Sequence, residues 1–139
     1  GKVISKLYYT VSYSNNIKPG YAEVKVKFKK LYKGIMNKKF IIKPAKVKLS
    51  KIVNQKGRMI KITWEKSKGV GGYEIWYAND KKLKKGRKIM DVKASSKAIT
   101  IKKLSKNKTY YVKIRGYKKI NKRKVYGAWS KRKSVKITK

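Results

Sequence analysis

The sequence has no cysteine and no histidine. Without cysteine there is no disulfide framework and no thiolate chemistry. Without histidine, the usual general base near neutral pH and the commonest metal ligand are both missing. Acid is scarce too. Against 43 Lys and Arg stand 5 Asp and Glu, a formal net charge of +38. The acids are Glu23, Glu65, Glu74, Asp80 and Asp91, scattered singly along the chain. They offer no closely spaced carboxylate pair for acid–base work or metal ligation. The Gly-rich run at 69–72 lacks the Lys-Ser/Thr and the helix of a phosphate loop. No catalytic residue, no metal site and no cofactor is expected. No apolar run approaches the ~20 residues that span a bilayer. No segment repeats at 3.6 residues, so a membrane-active amphipathic helix is not expected either.

What is present is a folding sequence. Hydrophobic residues make up 40% and aromatics 12% of the 139 residues. Apolar residues alternate with polar ones, the period of half-buried strands. Before Pro44, strands are expected at 7–14, 21–30 and 36–42, with the turn residues of NNIKPG at 15–20. In the second, Ala22, Val24, Val26 and Phe28 share one face, and Glu23, Lys25, Lys27 and Lys29 the other. A meander this small is marginal alone. After Pro44, strands are expected at 47–53, 59–64, 72–78, 87–92, 98–102 and 110–119, and at 124–128 continuing into 134–138. Their recurrence at ~8–12 residues is that of an all-β sandwich. The boundary places a small unit at 1–43 and a sandwich at 44–139. The run KKLKKGRK at 81–88 reads as a loop.

Three stretches carry a family likeness. MIKITWEKSKGVGGYEIWYA (59–78) resembles the second and third strands of a fibronectin type III domain. LSKNKTYYVKIRGY (104–117) resembles its tyrosine corner and the strand that follows, and YGAWSKRKSVKI (126–137) its last strand. The resemblance implies a seven-stranded sandwich, Trp64 in the core, and Tyr110 as the corner tyrosine with its hydroxyl bonded to nearby backbone. The segment YTVSYSNNIKPGYAEVKVKFKKLYKG (9–34) resembles the C-terminal half of bacterial Ig-like surface repeats, whose upstream strands do not appear here. Those strands are expected from an earlier part of a precursor or from another molecule. No signal peptide is visible ahead of Gly1, so the expectation is a removed leader or a fragment.

Such domains carry Thr, Ser and acids on outward positions, where this chain carries Lys. An AT-rich genome accounts for part of the Lys count but not for the missing acids. On the strand at 110–119, Lys113 and Arg115 are expected to face out with Lys118 and Lys119 beside them. Lys122, Arg123 and Lys124 are expected in the next turn, and Lys131, Arg132 and Lys133 on the last strand, pairing with 110–119. Like charges side by side across strands repel. They are what sequence-blind phosphate neutralisation requires. Lys25, Lys27 and Lys29 add a second basic face, and Lys82, Lys84 and Lys85 a loop that could clamp phosphate. Trp76 is expected to point outward near Lys113 or Arg115, as a stacking platform, a cation–π partner or an interface anchor. Trp129 is expected to pack under the last strand.

The expected function is a noncatalytic bacterial β-protein, secreted or on the cell surface, that binds or coats a polyanion by lysine-driven neutralisation. Extracellular nucleic acid without sequence specificity is the foremost partner, with teichoic acid or acidic glycan beside it. Lys over Arg disfavours bidentate base readout. The rival is a structural spacer or filament subunit that assembles through protein contacts, by strand donation to the incomplete first unit. Because so many like charges repel in the compact state, the thermal midpoint is expected to rise from dilute buffer to about 0.5 M salt, where the Debye length falls to a few ångströms. A midpoint unchanged by salt in a melting series would contradict this.

Overall fold

A computed structural model gives the arrangement of residues 3–138. The chain divides into two compact units, Gly1–Ile42 and Lys43–Lys139.

In the first unit, the Ser5 side chain accepts from the Leu7 amide and caps a short 3-10 turn, Lys6–Tyr8. The first strand therefore begins later than the alternation predicts. β1 (Tyr9–Ser14), β2 (Gly20–Phe28) and β3 (Ile35–Ile42) form an antiparallel sheet in that order. Lys30 is in the left-handed region, with φ 60°, so the chain leaves β2 at Phe28 and Lys29 lies beyond the strand rather than on its basic face. The register aligns Val11 with Val26 and Met36, and Tyr13 with Val24. One face is thus apolar apart from Lys38, which stands opposite Val24, yet Ala22 is the only buried residue among those described in this unit. Val11, Tyr13, Met36 and Phe40 remain exposed on that face.

In the second unit, β4 (Leu49–Gln55), β5 (Met59–Trp64) and β8 (Ala98–Ile101) form one sheet in the order β4-β5-β8. β6 (Gly72–Ala78), β7 (Lys88–Lys93), β9 (Thr109–Ile120) and β10 (Arg123–Tyr126) form the other, in the order β10-β9-β6-β7. β11 (Lys133–Lys136) also pairs with β9. The inward positions of both sheets meet in one core. Ile60, Ile62, Tyr73, Ile75, Val112, Ile114 and Ile137 are fully buried there, and Trp64 is nearly so, edge-on to Tyr73 at 5.4 Å. At ~25 cal/mol per Å² of apolar surface removed from water, such a layer dominates the stability of the unit.

The last strand is interrupted rather than continuous. Tyr126 pairs with Tyr117 and Lys133 with Val112, so seven steps along one strand face five along β9. The excess forms a bulge. The chain stays beside β9 through it. Gly127 N donates to Gly116 O at 2.9 Å, and Ser130 N to Ile114 O at 2.8 Å, while Ser130 Oγ accepts from Ile114 N at 3.0 Å. A Cβ on Gly127 would lie 2.4 Å from the Pro44 carbonyl oxygen, so this crossing requires glycine.

The Tyr110 hydroxyl accepts from the Ser105 amide at 3.1 Å, which ties the loop before β9 to the strand. Tyr110→Phe removes that acceptor and keeps the ring. The expected cost is about 1 kcal/mol, read as a lower denaturation midpoint with unchanged slope.

Candidate functional site

The outward face of the β10-β9-β6-β7 sheet carries a stack of rings and cations. Pairing of β6 with β9 sets Trp76 opposite Lys113 and Glu74 opposite Arg115. The bulge turns Trp129 onto the same face, where it meets Trp76 with ring centroids 4.5 Å apart. The Lys113 ammonium lies 4.4 Å from both indole centroids. The Arg87 guanidinium covers Trp76 at 3.8 Å. Arg115 covers Tyr126 at 3.5 Å and Trp129 at 4.3 Å. Each such contact is worth about 0.5–2 kcal/mol, more as it is desolvated.

Arg115 is also held from below. Glu74 Oε1 accepts from its Nε at 3.0 Å and its Nη2 at 2.7 Å. Glu74 is 6% exposed, so this charge-assisted pair sits largely out of water. Burial and a hydrogen bond to Glu74 push the Tyr126 hydroxyl pKa upward. Burial pushes the Lys113 amine downward, and Arg115, Arg87 and Arg132 add to the shift.

These contacts sort the cations. The Arg115 charge is matched by Glu74, so it is an internal partner and not a free phosphate contact. Trp76 is covered by Arg87, Lys113 and Trp129, which leaves its cation–π role and not an open stacking face. Lys118 does not accompany Lys113: β9 alternates without a break, so only Lys119 shares that face. Arg123 and Lys124 belong to β10, leaving Lys122 with Asn121 in the turn. Lys124 pairs with Asp91 and lies 4.5 Å over the Tyr117 ring. The hydrogen bond to Asp91 raises its pKa. Lys131 and Arg132 precede β11, and only Lys133 is in the strand. Arg132 turns toward the outward face, donating to the Lys81 carbonyl and lying 5.3 Å over Tyr111. Lys25 and Lys27 are exposed on β2.

The basic loop before β7 is a folded turn around an acid. The Asp80 carboxylate accepts from the amides of Lys82, Lys84 and Lys85 at 3.1, 2.8 and 3.0 Å. Those bonds hold the Asp80 pKa below its usual value. The amides are therefore unavailable to an outside anion. Only the exposed ammonium groups of Lys82, Lys84 and Lys85 remain for one. No group of three or more acids that could hold a metal occurs among the described residues.

No protein-family model matches the chain, and no curated protein matches it. Solved structures do. The sixth fibronectin type III domain of human fibronectin type III domain containing protein 3 is similar with a TM-score of 0.55 and 16% identity, over 68% of this chain and 86% of that one. The FN1–FN3 domains of chicken CNTN1 are similar with a TM-score of 0.55 and 18% identity, over 91% of this chain and 44% of that one. The fold is a fibronectin-type-III-like β-sandwich. At these identities the likeness is one of architecture. Among the described residues, no helix is long and apolar enough to cross a membrane.

Sequence reasoning did not anticipate the buried Glu74–Arg115 pair or the Trp76–Trp129 contact. The first was within reach, since aligning YEIWYA antiparallel with YVKIRG sets Glu74 opposite Arg115. The second depends on the bulge, which alternation does not reveal. Arg115→Met would strand a buried carboxylate. It is expected to cost about 3 kcal/mol, and adding Glu74→Gln should recover most of that loss in a chemical denaturation series.

Proposed function

We propose that this protein is a noncatalytic, secreted or surface-attached bacterial β-protein that binds a polyanion, with extracellular nucleic acid foremost, by lysine-driven charge neutralisation. The observation that carries the reading is the excess of 43 cations over 5 acids, together with the fate of the acids. Glu65, Glu74 and Asp91 pair with Lys48, Arg115 and Lys124, and Asp80 binds its own loop's amides. Little negative charge is left to face the exposed lysines. Lys25, Lys27 and Lys29, Lys82, Lys84 and Lys85, Lys119, Lys122 and Arg123, and Lys131, Arg132 and Lys133 are the exposed members of the basic set. Exposed ammonium groups act as point charges that release counterions from phosphate without reading bases.

A second reading is favoured by one observation. The apolar face of the β1-β2-β3 sheet leaves Val11, Tyr13, Met36 and Phe40 exposed, as an assembly surface of a spacer or filament subunit would. In that reading the first unit is part of an Ig-like repeat completed by strands from elsewhere.

Binding measured at several salt concentrations separates the two. Polyanion binding predicts that log affinity for a mixed-sequence duplex falls linearly with log salt, with little change between sequences. Binding that ignores salt contradicts it. Assembly seen by size exclusion after nuclease treatment in high salt supports the second reading instead.

A further inference from the structure

A cleft opens where the two sheets of the sandwich meet. It lies between the approach to β4 and the approach to β11, with a volume near 430 Å³, lined by Lys46, Val47, Lys48, Leu49, Lys131 and Lys133. That volume is within the range of ~300–1,000 Å³ that takes small ligands.

Local alternation builds its walls. In KVKLS, Val47 and Leu49 point into the core and Lys46 and Lys48 are exposed, so the cleft closes on the edge of the core and its open walls are lysine stems and ammonium groups. Across the seam, Lys131 and Lys133 alternate with Arg132, which turns to the other face. Lys133 stands opposite Val112, which is fully buried, so its side chain starts on the inward side of the sheet. It runs out along the seam to donate to the Ser50 carbonyl at 2.7 Å.

The charges here are barely balanced. Lys48 meets Glu65 at 2.6 Å, but both side chains are more than half exposed, and such a pair contributes little. Neither Lys46, Lys131 nor Lys133 has an ion pair with a carboxylate among the described residues. The lining carries no aromatic ring, so it has no platform on which a base could stack.

We infer that this seam cleft holds one sugar–phosphate unit of a polyanion, its phosphate among the ammonium groups of Lys46, Lys131 and Lys133 and its sugar against the aliphatic stems of those lysines and Lys48. The inference rests on the polyanion reading above and narrows it. The protein grips a phosphodiester backbone and ignores the bases. A nucleic acid and a polyol-phosphate chain share that chemistry.

The test uses the full chain and three labelled probes of equal charge: an oligothymidylate, an abasic oligomer of the same backbone, and inorganic polyphosphate. The Lys46→Gln/Lys131→Gln double variant is compared with Lys61→Gln/Lys102→Gln, which removes the same charge from exposed positions on β5 and just after β8. The expected result is equal binding of the two sugar-bearing probes, weaker binding of polyphosphate, a roughly tenfold loss for the cleft variant and about twofold for the control. Equal losses in the two variants overturn the cleft and leave polyanion binding standing. A strong preference for oligothymidylate over the abasic oligomer overturns the base-blind grip. Polyphosphate bound as well as the abasic oligomer overturns the sugar contact. Failure of all three probes to bind in dilute buffer overturns the polyanion reading itself. A polyol-phosphate polymer run as a fourth probe tells which source of backbone is held more tightly.

Discussion

Acid is the limiting material of this structure. With 5 carboxylates for 43 cations, each acid's placement decides what the surrounding lysines and arginines do. Glu74 is set where a carboxylate matters most, beneath Arg115 in the middle of the larger sheet, and it fixes that guanidinium against Tyr126 and Trp129. Asp80 shapes a lysine-rich loop by accepting three backbone amides. Asp91 anchors Lys124 beside the β9–β10 turn. The π-faces of Trp76, Trp129 and Tyr126 supply the rest of the negative potential. Aromatic quadrupoles substitute for missing carboxylates where cations would otherwise crowd.

The outward face of that sheet is therefore quieter than its composition implies. Arg87, Lys113 and Arg115 are ordered by rings and by one buried acid. The unbalanced charge is displaced to the loop around Asp80, the end of the β9–β10 hairpin, β2, and the seam between β4 and β11. Those are places where an ammonium group can extend into water. Apart from the exposed Lys48–Glu65 pair, no salt bridge among the described residues neutralises the lysines there, and a nearby polyanion would relieve such an arrangement.

Much of the sandwich was legible because its strands alternate strictly. Residues 59–64 and 72–78 form β5 and β6 with the expected bounds. The corner bond of Tyr110 and the burial of Trp64 follow from positions that a fibronectin-type-III-like chain repeats. Less legible was whatever depends on a break in alternation. The bulge between Tyr126 and Lys133 splits the last strand, lifts Trp129 onto Trp76 and sends Arg132 and Lys133 to different sides. Lys118 was misplaced by reading a run of basic residues as one group, although period two divides it from Lys119. The cleft at the seam was invisible because its walls are more than eighty residues apart: Lys133 reaches the carbonyl of Ser50.

The β3 edge bears on both readings of function. Its outer row of backbone groups runs beside the side chains of Met36 and Phe40, with Lys38 and Lys39 at its middle. Lysine on an edge strand repels a second strand that would otherwise dock there. On the polyanion reading, a polymer of phosphates lying over those amines would cancel the repulsion and concentrate many copies along its length. On that reading, the contact that offsets the charge would also lower the colloidal barrier between molecules, so that copies held apart by their lysines in free solution would cohere along the polymer that bridges them.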